Sequence, residues 1–301
     1  MRIGIIGLGD IAQKAYLPVL NEKEGIELVL CTRNKEKLES LAKKYRLSEY
    51  VQTVEELIDS KVDAALICTP SPTHFELTKK LLENGVHVYI DKPIAMNLNE
   101  TKEIVQLAKE KELIAMVGFN RRFAPMITAL KNEGKAELVM IQKNRYILPG
   151  DKKSFVVQDF IHVVDTLRFL MDTEILDLTV QFLEKEGLLY NVVIQLIGKE
   201  CTAVGIMNRN NGITEEIIEY MAAGNKLVVT DLVETAQFSN DSKSFIEFNG
   251  WEPTLAKRGF YQIIEHFIEC VDLNKQPDPS ISDSLITHEI CEEIYKRVTK
   301  I

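Results

Sequence analysis

The first 118 residues alternate short apolar runs with segments of helical pattern. This alternation is typical of β-strand–helix–β-strand units and predicts a parallel sheet. The predicted strands are Arg2–Ile6, Glu27–Thr32, Asp63–Cys68, Val86–Ile90 and Leu113–Val117, with a weaker one near Tyr50. Between them, Thr53 and Thr73 each precede a glutamate at the spacing of a helix capping box. Gly85 stands where a helix should end before the next strand.

After Gly118 the pattern changes to two helices, Pro125–Asn132 and Asp159–Met171, followed by strand-like runs in succession. The runs are Leu176–Leu183, Leu188–Ile197, Cys201–Asn208, Glu215–Ala222 and Lys226–Leu232. Short turns between consecutive strands favour an antiparallel sheet. Two helices, Phe260–Leu273 and Ser282–Val298, close the chain. The pattern therefore predicts an α/β protein, with a doubly wound parallel sheet over residues 1–118. An α+β domain with an open, mostly antiparallel sheet follows over residues 119–301.

The composition is that of a soluble globular enzyme, with 46% hydrophobic and 27% charged residues among 301. A net charge of −9 argues against a general nucleic-acid binder, which needs basic surface to meet phosphates. The five cysteines include no CxxC pair, so we expect reduced thiols and no zinc site. No apolar stretch approaches the ~20 residues that span a bilayer, and no signal-peptide pattern opens the chain. We therefore expect a cytoplasmic protein without membrane or nucleic-acid partners.

The segment Gly7–Ala12 follows the first predicted strand and opens a predicted helix. In a dinucleotide site, Gly7 permits the tight turn, Gly9 lets the backbone approach a pyrophosphate, and Ala12 allows close helix–strand packing. The helix start, with Asp10 and Ile11, offers N–H groups and a positive dipole end to the phosphates. The alternative is a tight turn alone, but the position at the start of a β-α-β array favours dinucleotide binding.

The second predicted strand ends in Thr32-Arg33-Asn34, without the acidic residue that an NAD-specific site usually places there. Arg33 can pair with the 2′-phosphate of NADP(H), and Thr32 can donate a hydrogen bond to it. Lys37 lies one turn into the next helix. We therefore expect NADP(H) as the preferred cofactor. In the alternative, Arg33 stacks on adenine and the site accepts NAD(H) as well.

Lys92 lies between Asp91 and Pro93 at the end of a parallel strand, at the carboxyl edge where open α/β sheets bind ligands. A lysine there can bond a substrate hydroxyl or carbonyl and stabilise the charge that develops on it. The alternative is a solvated lysine beside a turn proline.

His74 follows Thr69-Pro70 at the same predicted edge of the sheet. These three residues are candidates for the lining of a cofactor cleft. Helix capping by Thr73 explains the segment equally well.

A predicted helix carries Gln158, Asp159, His162 and Asp165. At helical spacing Gln158 and His162 share a face, and each aspartate lies three residues from the histidine. A histidine held by a carboxylate can act as a general acid or base near neutral pH. Asp165 has a structural alternative, an ion pair with Arg168. A metal site on these side chains is a further alternative, but no other histidine or cysteine cluster supports one, and we expect no metal.

Together these residues resemble the glucose–fructose oxidoreductase, inositol dehydrogenase and rhizopine-catabolism family (Gfo/Idh/MocA). The segments that carry the resemblance are Gly7–Ala12, Thr69–Pro70 with His74, Asp91–Pro93, Gly118–Phe123 and His162–Asp165. The segment Asp159–Asp165 looks most like the MviM-type oxidoreductases of that family.

The resemblance implies a Rossmann domain and a second domain whose sheet often makes oligomer contacts, so we expect a homodimer or homotetramer. It implies that Lys92 and His162 face the nicotinamide and the reacting carbon. It also assigns Asn120 to the cofactor and Arg122 to the substrate, and it implies a cis peptide before Pro93.

The sequence departs from the family pattern at Gln158, where an aspartate usually precedes the histidine by four residues. Either Asp159 takes over the orienting role or the orienting residue is lost. A neutral Gln158 still has the groups to hydrogen-bond a sugar hydroxyl.

We therefore expect a dehydrogenase that transfers a hydride between NADP(H) and a hydroxyl- or carbonyl-bearing carbon of a sugar, polyol or related small molecule. In oxidation, His162 takes the hydroxyl proton as general base while Lys92 stabilises the oxyanion. Two alternatives fit the same motifs. One is a glycosidase that recycles a tightly held nicotinamide, and the other is a non-enzymatic NADP(H)-binding sensor, which Gln158 favours.

Overall fold

The computed structural model describes residues 1–300 and divides into two units. The first unit holds residues 1–118 and 260–286, and the second holds residues 119–259 and the chain from Thr287 onward. The sequence pattern assigns all of residues 119–301 to the second domain, whereas the structure groups residues 260–286 with the first unit.

The reason lies in the aromatic contacts of one helix. Phe260 and Phe267 set their rings edge-on against Tyr16 and Tyr89, with centroids 5.6 and 5.5 Å apart. Periodicity shows that this helix is amphipathic, but it does not show which sheet the helix covers.

The first unit is built on a parallel sheet of six strands. They are β1 (Arg2–Ile6), β2 (Glu27–Cys31), β3 (Tyr50–Val51), β4 (Ala64–Ile67), β5 (His87–Ile90) and β6 (Ala115–Val117). Their order is β3-β2-β1-β4-β5-β6, which is the doubly wound order of dinucleotide-binding sheets. The order reverses at β1 and β4, so the ligand crevice is expected at the carboxyl ends of these strands. The predicted Rossmann architecture is confirmed.

Helices connect these strands. They are α1 (Leu17–Asn21, preceded by a π-helical stretch over Ala12–Tyr16), α2 (Lys35–Tyr45), α3 (Val54–Asp59), α4 (His74–Glu83) and α5 (Leu98–Glu110). The predicted capping box at Thr53 is confirmed, because Thr53 and Glu56 each accept a hydrogen bond from the other's backbone N–H at 3.2 Å.

The predicted capping box at Thr73 is wrong. Thr73 ends a short 3₁₀ turn over Ser71–Thr73, so its backbone already has helical dihedral angles instead of the extended ones of an N-cap. Its hydroxyl instead lies 2.7 Å from Thr69 Oγ1 and 2.9 Å from the carbonyl oxygen of Pro70.

The second unit is built on an eight-stranded sheet. The strands are β7 (Ala136–Asn144), β8 (Ile175–Lys185), β9 (Leu188–Gly198), β10 (Thr202–Asn208), β11 (Glu215–Ala222), β12 (Asn225–Thr230), β13 (Glu234–Ser239) and β14 (Ser242–Glu247). Their order is β14-β13-β12-β11-β7-β10-β9-β8, and all neighbours are antiparallel except β7 and β10. The mostly antiparallel sheet is therefore confirmed. The pattern missed β7, β13 and β14, and β7 occupies the centre of the sheet.

The remaining helices are α6 (Pro125–Leu130), α7 (Ile161–Met171, preceded by a π-helical stretch over Ser154–Phe160), α8 (Thr254–Lys257), α9 (Phe260–Asp272) and α10 (Ile281–Thr299). Helix α7 packs closely on the second sheet at Gly205, where an added Cβ would lie 2.8 Å from Val163 and 2.9 Å from Leu167. This close packing fixes the position of His162, which follows the first residue of α7.

Among residues 1–300, no helix has the length and apolar character needed to cross a bilayer. Within the same residues, no three histidine, cysteine or acidic side chains are grouped as a metal site requires. The five cysteines are free thiols and all are buried.

Candidate active site

The glycine loop after β1 has the features of a phosphate-binding turn. Gly7 has a φ of +86°, and an added Cβ would lie 2.7–2.8 Å from Thr69, so only glycine fits. Beside Gly9, no atom lies within 4 Å of an added Cβ, so the backbone there is open to an approaching group. Ala12 is fully buried where the helix begins. These observations fit a bound pyrophosphate at the loop.

Basic side chains surround the exposed end of β2. Arg33 and Lys37 are exposed and Thr32 is half-buried. A hydrogen bond from Lys14 at 2.6 Å, with a smaller contribution from the charge of Lys37, lowers the pKa of Asp10 in the glycine loop. A 2′-phosphate would meet mostly positive charge at this end of the strand.

His74 is buried and joins two turns at the carboxyl edge of the first sheet. Its Nδ1 lies 2.7 Å from the carbonyl oxygen of Pro93, and its Nε2 lies 2.9 Å from the carbonyl oxygen of Thr69. The structure thus places His74 as a brace between the turns after β4 and β5, while Pro70 is exposed. The Lys92–Pro93 peptide is cis, as the resemblance implies.

Asp91 supports the turn that carries Lys92. Its Oδ1 accepts a hydrogen bond from the Tyr16 hydroxyl at 2.9 Å. Burial raises the pKa of Asp91, and the charge of Lys92 and the bond from Tyr16 oppose that shift. Gly118 packs against the hydroxyls of Tyr89 and Tyr16, since an added Cβ would lie 2.9 and 3.0 Å from them. Lys92 therefore stands on a tightly packed, polar support.

In the second unit, Arg121 links His162 to an acidic residue. Its Nε and Nη2 donate to Glu216 Oε1 and Oε2 at 2.6 and 2.7 Å, and its Nη1 lies 3.0 Å from His162 Nδ1. Burial raises the pKa of Glu216, but the charge and hydrogen bonds of Arg121 outweigh it and leave that pKa below its ordinary value. The neighbour that the structure places at His162 Nδ1 is thus a guanidinium.

Asp165 is buried in an ion pair with Arg122. Arg122 Nε and Nη2 donate to its two oxygens at 2.9 and 2.7 Å, and the Thr287 hydroxyl donates to Oδ1 at 2.9 Å. The structure thus pairs Asp165 with the arginine that the resemblance assigns to the substrate. Asn120, assigned to the cofactor, donates from Nδ2 to the carbonyl oxygen of Arg258 at 2.8 Å.

Asp159 lies among three cations, which we call with it the Asp159 cluster: Lys143, Arg145, Arg209 and Asp159. Lys143 Nζ donates to Oδ1, Arg145 donates to both oxygens at 2.9 and 3.1 Å, and Arg209 donates to Oδ2 at 2.9 Å. Although burial raises the pKa of Asp159, the charges of Lys143 and Arg145 hold it far below its ordinary value. Both carboxylate oxygens are thus bound by cations, and the adjacent Gln158 is half-buried.

Lys143 is almost fully buried in the Asp159 cluster. Burial and then the charge of Arg121 lower the pKa of Lys143 to about 7, although Asp159 and Glu216 oppose the shift. The unfolded chain therefore binds the Lys143 proton more tightly than the folded protein does. Below about pH 7 both states carry this proton, and the full cost of burying the charge lowers the stability of the fold. That penalty disappears as the pH rises from about 7 towards the ordinary lysine value of 10.5.

We predict that Lys143→Met raises the free energy of unfolding near pH 6 by on the order of 2 kcal/mol, because Asp159 keeps both arginines. The difference from the unchanged protein should shrink steadily between about pH 7 and 10. Urea unfolding of both proteins at a series of pH values measures this difference. A difference that is constant over this range would contradict the lowered pKa.

No sequence pattern points to Glu216, Lys143 or Arg209. Each lies on a strand of the second sheet or directly after one, with its partner far away in sequence. Of the residues that bind His162 or Glu216 here, Arg121 lies within Gly118–Phe123, a segment that carries the family resemblance.

The chain matches two family models, one for each half. The first, described as an oxidoreductase family with an NAD-binding Rossmann fold (GFO_IDH_MocA), matches residues 1–119, and the second, described as a YceM-like C-terminal domain, matches residues 125–240. The protein YceM of Salmonella typhimurium is 32% identical over 301 residues, with 98% of this chain and 97% of that protein covered. The chain belongs to the Gfo/Idh/MocA oxidoreductase family.

This Gfo/Idh/MocA oxidoreductase is also similar to solved structures of the family. The dehydrogenase MviM of Clostridium difficile is 31% identical, with a TM-score of 0.95 and 99% of each chain covered. The resemblance to MviM-type oxidoreductases is therefore confirmed. The myo-inositol 2-dehydrogenase of Thermotoga maritima is 31% identical over 132 residues, which are 44% of this chain and 40% of that protein.

Proposed function

We propose that this oxidoreductase transfers a hydride reversibly between NADP(H) and a hydroxyl- or carbonyl-bearing carbon of a sugar, polyol or related small molecule. The observation that carries the proposal is Lys92 on its cis-proline turn, at the carboxyl edge of a doubly wound sheet with an open glycine loop. The substrate class is supported by the similarity of 44% of the chain to a myo-inositol 2-dehydrogenase. We further propose a cytoplasmic homodimer or homotetramer.

We assign the pyrophosphate to the glycine loop, where Asp10 and Ile11 lie at the start of the helix and its unpaired N–H groups. Thr32, Arg33 and Lys37 would hold the 2′-phosphate. Thr69, Pro70 and Asn120 are proposed to line the nicotinamide end, with His74 bracing that loop. When bound, the cofactor supplies or accepts the hydride.

The chain's own residues provide the polar chemistry. The Lys92 ammonium stabilises negative charge on the substrate oxygen, and its turn is held by His74 and Asp91. His162 is proposed to bond the same oxygen, and Gln158 a neighbouring hydroxyl. Arg122 and Asp165 hold α7, which carries His162, through their buried ion pair.

The test is nicotinamide absorbance with purified protein and a panel of sugars, polyols, inositols and small carbonyl compounds, in both directions and with both cofactors. We expect turnover that is faster with NADP(H) than with NAD(H). Tight NADPH binding without turnover would favour a sensor. Substrate cleavage with the cofactor recycled on the protein would favour a glycosidase.

We predict that Arg33→Ala raises the Kd for NADPH about 10- to 100-fold, since a charge-assisted bond to the phosphate contributes about 1.5–3 kcal/mol. The Kd for NADH should change less than about threefold. Fluorescence titration of both cofactors measures the two constants, with the exposed Lys43→Ala, at the far end of α2, as control. Equal losses for the two cofactors would remove the argument for NADP(H) preference.

A further inference from the structure

The Arg121 guanidinium is held in one orientation next to His162. Its Nε and Nη2 bind both oxygens of Glu216, and this bidentate pairing aims Nη1 at His162 Nδ1, 3.0 Å away. The Arg121 and Glu216 side chains are only 10% and 12% exposed. Such a buried, planar pair has little freedom to rotate away from the ring.

The contact fixes the proton on the imidazole. Arginine carries only N–H donors and stays protonated, so His162 Nδ1 must accept with its lone pair. A neutral imidazole has one N–H, which is therefore on Nε2. An imidazolium would instead place its Nδ1–H against an N–H of Arg121, with the two nitrogens 3.0 Å apart. The two positively charged groups would then repel each other with little water to screen them.

The other charged groups around α7 do not reverse this preference. They include Arg122, Lys143, Arg145, Asp159, Asp165, Arg168, Arg209 and Glu216. The three carboxylates among them all bind guanidinium or ammonium groups, and with Arg121 the cations named here number six.

We propose that His162 acts as a neutral hydrogen-bond donor through Nε2–H, and that Arg121 is the positioning residue that fixes this state; the proposal rests on the function proposed above. In this state Nε2 has no lone pair with which to take a hydroxyl proton, so the general-base role passes to Lys92. In the reductive direction, Nε2–H donates to the carbonyl oxygen as negative charge develops there. The Lys92 ammonium transfers one proton to that oxygen and is left as a neutral amine, which solvent reprotonates. In oxidation the neutral Lys92 amine takes the hydroxyl proton.

Nitrogen-15 NMR of protein labelled at histidine tests the tautomer without any substrate. The chain has five histidines, and His162→Gln assigns the signals of interest. We expect Nε2 to be protonated and Nδ1 unprotonated, with no change between about pH 5.5 and 8. A protonated Nδ1, or a ring that gains charge in this range, would overturn the proposal even if the enzyme turns over sugars.

Two substitutions of Arg121 distinguish the effect of its N–H donor on His162 from the effect of its positive charge. Arg121→Gln keeps an N–H donor and should keep the nitrogen-15 pattern, whereas Arg121→Leu removes both and should let Nδ1 gain a proton. For Arg121→Leu we expect kcat to fall about two- to tenfold, in proportion to the share of rings that lose the Nε2–H donor to the oxyanion. The Kd for NADPH should stay within about threefold. Unchanged nitrogen-15 signals in folded Arg121→Leu would contradict a positioning role.

The pH profile of kcat/KM is the complementary measurement if Arg121→Leu does not fold. The unchanged protein should show one ionisation, which disappears in Lys92→Met, and none that disappears in His162→Gln. An ionisation that His162→Gln removes would assign acid–base chemistry to the histidine and overturn the proposal. Absence of turnover with every substrate would count against the proposed function, while the NMR result would still decide the tautomer.

Discussion

Lys92→Met is expected to lower kcat/KM by about 10³-fold or more while the Kd for NADPH stays within about threefold. Methionine fills a similar volume but carries no charge, so it can neither stabilise the oxyanion nor move a proton. The cofactor contacts that we propose are made by the glycine loop, by the end of β2 and by Thr69, Pro70 and Asn120, and the substitution changes none of these residues. Steady-state kinetics and NADPH fluorescence titration measure the two effects separately.

The matched control is Lys79→Met, the same change in the same unit. Lys79 lies on α4, is partly exposed and pairs with Glu103 at 2.7 Å. Solvent screens an exposed ion pair, so its loss has little effect and we expect kinetics close to those of the unchanged protein. Similar activity in Lys79→Met and Lys92→Met would remove Lys92 from the mechanism.

Asp91, which supports the turn that carries Lys92, is also affected by the substitution. The charge of Lys92 opposes the rise in the pKa of Asp91 that burial causes, so its removal should raise that pKa further. Tyr16 still donates to the carboxyl group at 2.9 Å, which limits the structural damage. Loss of turnover in Lys92→Met with an unchanged cofactor Kd would therefore reflect the missing ammonium group, because the bond from Tyr16 to Asp91 still supports the turn.

The first sheet was predictable because its signals are local. Gly7 must be glycine for reasons that the sequence already suggests, namely a turn directly after a strand and before a helix. The strands are continuous apolar runs, since both faces of a parallel sheet are covered. The site residues at this sheet lie on the turns that end those runs, so their positions follow from the strand boundaries.

The second unit was less predictable because its central strand and its polar contacts depend on distant partners. Strand β7 ends in Lys143 and Asn144, which are buried although polar, so its hydrophobic pattern is weak. Arg121 and Glu216 are 95 residues apart, and neither position shows that they pair. A helical spacing places Asp159 near His162, but it cannot show that three cations on other elements bind that carboxylate.

Asp165→Asn is expected to lower the free energy of unfolding by about 3–5 kcal/mol, because it removes the charge of a buried carboxylate from a buried guanidinium. Asp165 is 1% and the Arg122 side chain 7% exposed, so water screens the pair little. The asparagine amide is also forced to place an N–H group against the donors of Arg122 or Thr287. Urea unfolding followed by circular dichroism measures the midpoint and slope.

The control is Asp172→Asn, directly after α7, where the carboxylate is 75% exposed and pairs with Lys131 at 3.0 Å. Asp172 has a φ of +48°, a conformation that asparagine adopts readily, so we expect a change below about 0.5 kcal/mol. A double variant, Arg122→Met with Asp165→Leu, should recover part of the stability lost in Asp165→Asn, since it leaves neither position with a buried charge. If Asp165→Asn unfolds like the control, the ion pair does not hold α7. The position of His162 would then depend on other contacts, among them the one with Arg121 and the packing of α7 on the sheet at Gly205.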